Sequence, residues 1–159
     1  MNLASAAPTW IFAILCALLA AAALEDAIRL RISNLTSAGV FLLAFVAAAY
    51  VGLSVPMWQN GLVFALLLTS GALIFATGQM GGGDVKLLAA LGLWFNIQGG
   101  IWLLAAVFIS GGVVALGFIV VRLARGKGLK RRESKGGIPY GVAIAAGAFI
   151  MFASQSRVL

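Results

Sequence analysis

The sequence predicts an all-α fold: a polytopic membrane protein with six transmembrane helices, forming a single domain over residues 1–159. Composition, the length of the apolar runs and the placement of the basic residues predict it. Of the 159 residues, 63% are hydrophobic and 9% are charged, and the mean hydropathy is +1.11. A soluble domain of this length keeps most of its residues in contact with water, so it cannot hide that much apolar surface in one core. A bilayer removes the water but requires every backbone polar group to be paired internally, which leaves helices or a closed barrel. The apolar runs are far longer than the roughly 10-residue alternating segments of a barrel. They are therefore helices.

Six apolar stretches follow one another: Pro8–Leu24, Leu35–Leu53, Gly61–Gly78, Val85–Ile97, Ile101–Val121 and Ile138–Ala153. The first has no basic residue ahead of it, and Glu25-Asp26 follows it instead of a small-residue cleavage site. It is expected to be a retained helix and not a signal peptide. The second is entered through Ser33-Asn34, whose side-chain oxygens suit a helix cap. The third runs into the glycine-rich segment Gln79–Asp84. Five of the stretches have about the 17–25 residues of a spanning helix. The fourth, at about 1.5 Å per residue, covers only about 20 Å of a hydrocarbon layer about 30 Å thick. It spans if the glycine-rich segment lies within the membrane boundary, and is re-entrant otherwise.

Charge separates the two possibilities. Arg29 and Arg31 follow the first stretch, Lys86 begins the fourth, and seven Lys and Arg residues between Arg122 and Lys135 precede the sixth. The connections near residues 54–60 and 98–100 carry no charge. With six spans, every basic loop falls on one side, and only Arg157 is off the pattern. The positive-inside rule then places the N- and C-termini in the periplasm and the basic loops in the cytoplasm, across a bacterial inner membrane. The Arg122–Gly137 loop reads as an orientation signal. Trp10, Trp58, Trp94 and Trp102 read as an aromatic belt on the periplasmic side. Glycines at Gly111-Gly112 and Gly141–Gly147 are expected to allow close helix packing.

Several function classes drop out. The chain has no histidine and one cysteine, Cys16, inside the first stretch. That excludes a Cys/His metal site, an internal disulfide and a histidine-based triad. The expected cofactor and metal content is none. The net charge of +7 lies in short loops between apolar runs, so the expected partner is the lipid bilayer and not nucleic acid.

Four acidic residues remain: Glu25, Asp26, Asp84 and Glu133. Glu133 sits among basic residues and reads as solvated; Glu25, like Glu133, is expected to be dispensable. Asp26 ends the first helix and Asp84 starts the fourth, and the topology puts both at the cytoplasmic face. Ionisable groups at membrane depth are costly and are functional candidates. Two carboxyls that share one proton can perform aspartic proteolysis, one taking a proton from water while the other donates to the peptide carbonyl. The helix ends favour an ionised Asp84 and place the shared proton on Asp26. Gly78 to Gly83 cannot stay regularly helical without penalty, so Asp84 is expected beside unwound backbone in a wet cleft. The plainer account is a turn with Asp84 as a helix cap. Arg29 can pair with Asp26 or simply sit at a helix C-terminus, and Lys86 reads as an interface anchor.

Gly81-Gly82-Gly83-Asp84 resembles the Gly-x-Gly-Asp signature of the membrane aspartic peptidases, a class that includes presenilin and signal peptide peptidase. The longer run Gly81 to Gly92 is similar to the type IV prepilin peptidase family. So are Asp26-Ala27-Ile28-Arg29-Leu30-Arg31-Ile32-Ser33-Asn34, with Ser33 where that family usually has proline, and Ile138-Pro139-Tyr140-Gly141 through Gly147. The resemblance implies catalytic roles for Asp26 and Asp84, with Gly81 and Gly83 as supporting motif residues. It implies a prepilin substrate, cut after a glycine at the cytoplasmic membrane face. The chain lacks the extra cytoplasmic region with paired cysteines of the long bifunctional members, so it resembles the short form of tight-adherence (Flp-type) pilus systems, without methyltransferase activity. The oligomeric state and the particular prepilin stay open. A transporter or an assembly scaffold is the alternative, although a transporter tends to bind near the midplane and both aspartates here lie near one surface.

Overall fold

Each of the six apolar stretches contains a helix in the computed structural model, which describes residues 2–52, 55–124 and 140–155. They are α2 (Thr9–Arg29), α3 (Asn34–Val51), α4 (Trp58–Ala76), α5 (Gly82–Gly92), α6 (Ile97–Ala124) and α7 (Tyr140–Gln155). Helix α5, the fourth of them, begins at Gly82, so Gly82 and Gly83 are helical and not unwound as expected, and it stops at Gly92, short of Ile97. A four-residue helix, α1 (Leu3–Ala6), precedes them, and a single 3-10 turn (Val55–Met57) leads into α4. No strand occurs among the described residues. Helices α2, α3, α4 and the Ile97–Val121 part of α6 are long and apolar enough to cross a membrane; Tyr140–Ser154 in α7 is apolar but shorter. The molecule is thus a multi-pass helical membrane protein.

Apolar stripes at helical spacing turn inward: Ile11, Leu15 and Leu19 on α2, Val40, Ala44 and Ala47 on α3, Val63 and Leu67 on α4. Residues three or four apart share one helix face, so each stripe packs as a unit. The outward faces are apolar too, with Ile28, Leu35, Leu73 and Phe108 exposed. Water would penalise such a surface, and lipid does not.

The shortest helix occupies the centre. Every residue of α5 from Leu87 to Gly92 is buried, as are Asp84 and Val85, and the helix packs against α3, α4 and α7. Its 11 residues give a rod of about 17 Å at 1.5 Å per residue. It ends in a turn through Trp94 and Phe95, both fully buried. Trp94 therefore departs from the expected aromatic belt: its indole N–H donates to the Val40 carbonyl at 3.2 Å. Trp10, Trp58 and Trp102 are exposed, as a belt requires. The short α1 packs against this same turn, where the Asn2 side chain accepts from the Asn96 N–H and the Ala4 N–H donates to the Trp94 carbonyl.

The glycine expectations divide. A Cβ at Gly147 would stand 2.8 Å from the Val107 backbone, so α6 and α7 do approach closely there. Gly111 makes only an ordinary contact with Ala143, and Gly112 faces open space. Those two glycines do not set the packing.

Candidate active site

Asp26 lies in the last turn of α2. The helix stops at Leu30, which takes the left-handed conformation (φ 52°) while its N–H donates to the Asp26 carbonyl at 2.9 Å. The Asp26 side chain is 4% exposed and reaches the first turn of α7. There Oδ2 accepts the Gly141 N–H at 2.6 Å, with the Val142 N–H also directed at the carboxyl. The first N–H groups of a helix have no partner within it and carry its positive end, so a carboxylate is stabilised there. A Cβ at Gly141 would stand 3.0 Å from Asp26 Cγ and 2.6 Å from Ile32 Cδ1. Glycine is what lets the two helices meet.

Asp84 enters from the other side. The chain leaves α4 through a turn at Gly78 (φ +75°), a backbone state that glycine adopts without strain. Gly81 is extended and caps α5, and Asp84 is the third residue of that helix. Its carboxyl folds back over Gly81, whose backbone N–H supports it as in the acidic half of a capping box. A Cβ at Gly81 would stand 2.8 Å from Asp84 Oδ2. The side chain is 7% exposed, and its other oxygen, Oδ1, is buried without a hydrogen-bond partner. Capping alone does not explain that oxygen, because buried polar atoms are nearly always paired.

The two carboxyls belong to one site. The charge of Asp26 acts on Asp84, and Ile32, in the α2–α3 connection, touches the neighbours of both. Its backbone carbonyl and nitrogen lie 2.8 and 3.3 Å from where a Gly83 Cβ would be, and its Cδ1 meets Gly141. Helices α2, α5 and α7 thus converge on a buried carboxyl pair roofed by Ile32. The sequence expectation that the proton rests on Asp26 considered only its own helix end. Asp26 meets N–H donors from the start of α7, a setting that suits a carboxylate, whereas Asp84 Oδ1 meets none.

Of the residues singled out from sequence, Asp26, Asp84, Gly81 and Gly83 come together. Arg29 does not pair with Asp26; its charge acts on Glu25. Lys86 donates to the Asn34 side chain at 2.8 Å, linking α5 to the start of α3. Arg122, expected to open the basic loop, still belongs to α6; Glu133 and the rest of that loop from residue 125 lie outside the described residues. Sequence reasoning missed Ile32 and the backbone of Gly141 as neighbours of the two carboxyls. The signals for Gly141 were the resemblance over Ile138 to Gly147 and the reading of those glycines as close-packing positions, which holds at Gly141. Among the described residues no three potential metal-ligating side chains gather. A groove of about 790 Å³ lies at the opposite end of the bundle beside Asn2, Gln98, Trp102 and Ile150. The residues that line it carry no ionisable side chain.

Fold and site together define a helical membrane protein with two buried carboxyls near one end of its bundle. Residues 13–116 match the type IV leader peptidase family, a span that contains Asp26 and Asp84 but not Gly141. The chain belongs to that family of peptidases. It is 29% identical over 119 residues to the prepilin leader peptidase/N-methyltransferase of Bacillus subtilis (strain 168), covering 71% of this chain and 44% of that protein. The chain thus spans less than half the length of this curated relative. No solved structure matches it.

Proposed function

We propose that the protein is a membrane aspartic endopeptidase that removes the leader peptide of type IV, Flp-type prepilins at the cytoplasmic membrane face, without methylating the product. The observation that carries this reading is the convergence of Asp26 and Asp84, two buried carboxyls from separate helices. A water held between them loses a proton to the carboxylate and attacks the scissile carbonyl carbon. The protonated partner donates to the carbonyl oxygen. When the C–N bond breaks, the leaving amine takes the proton now on Asp26 while a hydroxyl of the tetrahedral diol returns its proton to Asp84, so the pair again holds one shared proton. The hydrogen bonds described above support Asp26 as the carboxylate and Asp84 as the acid. Such a pair titrates as a unit.

Six spans place both aspartates at the cytoplasmic surface of the inner membrane and both termini in the periplasm, in keeping with the loop charges. The position of the carboxyls near one end of the bundle favours a peptidase over a transporter with a midplane site. The cleavage-only specificity follows the resemblance to short Flp-type peptidases. In keeping with it, these 159 residues hold a single cysteine, Cys16, and no glycine-rich nucleotide fingerprint.

The test is direct. Protein purified in detergent is incubated with an Flp-type prepilin and a methyl donor, and the products are weighed by mass spectrometry. One cut after the glycine ahead of the hydrophobic helix, with no methyl on the new terminus, is the expected result. An uncut substrate overturns the peptidase reading, and a methylated product overturns the cleavage-only part.

A further inference from the structure

We propose that Glu25 is a positioning residue: its carboxylate ties down the α2–α3 connection so that Ile32 holds Gly83 and Gly141, and with them Asp84 and Asp26, in register. The inference rests on the peptidase reading above and adds a residue which that reading does not contain.

The α2–α3 corner has a closed set of hydrogen bonds. Glu25 Oε2 accepts the Ser33 N–H at 2.9 Å and the Thr36 hydroxyl at 3.1 Å. Ser33 Oγ accepts the Thr36 N–H at 3.1 Å, capping α3, and lies 2.7 Å from Thr36 Oγ1. With the Thr36 proton given to Glu25, the Ser33 hydroxyl has two acceptors in reach, Thr36 Oγ1 and the Glu25 carboxylate. Every donor in the corner then has an acceptor, and Glu25 is the terminus that only accepts. Charge-assisted bonds of this kind are roughly twice as strong as neutral ones. They fix Ser33, the residue directly after Ile32.

Ile32 has little freedom between its contacts. A Cβ at Gly83 would meet the Ile32 carbonyl oxygen at 2.8 Å, so the backbones of the α2–α3 connection and of α5 are already in contact. On its other flank Ile32 meets Gly141, whose N–H holds Asp26. A shift of the connection therefore moves α5 relative to α7, which carries the spacing of the two carboxyls with it. Displacements of about 1 Å in a catalytic constellation cost about a hundredfold in rate.

Glu25 does not touch the carboxyl pair in this arrangement, so its loss should act on kcat and leave substrate binding alone. Prepilin cleavage by the full chain in detergent is measured for Glu25→Ala, Glu25→Gln and Thr36→Val, with Asp26→Asn as the inactive reference. Glu25→Ala is expected to lower kcat by roughly tenfold or more with KM within about twofold of wild type. Glu25→Gln keeps an oxygen that accepts from both donors and should retain most of kcat. Thr36→Val removes one of the two donors and should fall between them. Rescue by glutamine separates positioning from proton chemistry at Glu25. A kcat for Glu25→Ala within about twofold of wild type, a change confined to KM, or a glutamine variant as poor as alanine overturns the proposal. Should Glu25→Ala fail to accumulate in the membrane, Thr36→Val decides, and an unchanged kcat for it overturns the proposal. A wild type that leaves prepilin uncut sinks the peptidase reading itself; an active wild type with an unaffected Glu25→Ala sinks this inference alone.

Discussion

The three glycines before Asp84 differ in what a methyl group would meet. At Gly82 a Cβ comes no closer than 3.4 Å to the Phe75 ring, an ordinary contact. At Gly83 it would stand 2.8 Å from the Ile32 carbonyl oxygen, and backbone cannot step aside as a side chain can. Gly82→Ala is therefore expected to cleave within about twofold of wild type, while Gly83→Ala loses most activity and about 1–3 kcal/mol of stability. Cleavage rates and unfolding midpoints in detergent check both. Equal rates for the two variants would remove the close contact from the account. The alternation also says how far single residues were legible. Asp26 and Asp84 stood out because charge in an apolar run has few bland explanations. Glu25 did not, since its partners Ser33 and Thr36 are reached only once the chain folds back at Leu30. Ser33 stands where the resemblance expects proline, and its N–H is the group that Glu25 holds; proline has no such donor.

At the scale of the element, α5 is where hydropathy informs least. In a bundle surrounded by lipid, both the inward and the outward faces of a helix are apolar, so composition cannot tell a core helix from a peripheral one. Existence and order of all six helices were readable from the runs. The complete burial of Leu87 to Gly92 and the turn at Trp94 were not, because both depend on which helices surround them. The belt assigned to Trp94 failed for this reason. Its buried indole predicts that Trp94→Phe lowers stability by about 1 kcal/mol, the usual net value of one hydrogen bond, while Trp102→Phe, at an exposed site, changes the detergent unfolding midpoint little. Whether α5 crosses is settled by labelling single cysteines at Gln79 and Gln98, both exposed and placed on either side of it, in a Cys16→Ala background. Six spans predict labelling of position 79 from the cytoplasm only and of position 98 from the periplasm only. Labelling of both from one side would make α5 re-entrant.

For the whole molecule, the proposal is that a small helical bundle in the membrane brings two distant carboxyls, Asp26 and Asp84, into one shared-proton site. Asparagine tests that chemistry apart from packing. At Asp26 an amide oxygen can still accept the Gly141 N–H, and at Asp84 it can still fold over Gly81; Asn and Asp cap helices about equally well. Neither amide can exchange a proton at the pH of the assay. Because the pair acts as a unit, each single change is expected to cost about as much as the double change. The measurement is the rate of prepilin cleavage by Asp26→Asn, Asp84→Asn and the double variant, each present in the membrane at normal amounts. The account predicts unprocessed prepilin in all three. Near-normal processing by either single variant would contradict the two-carboxyl mechanism.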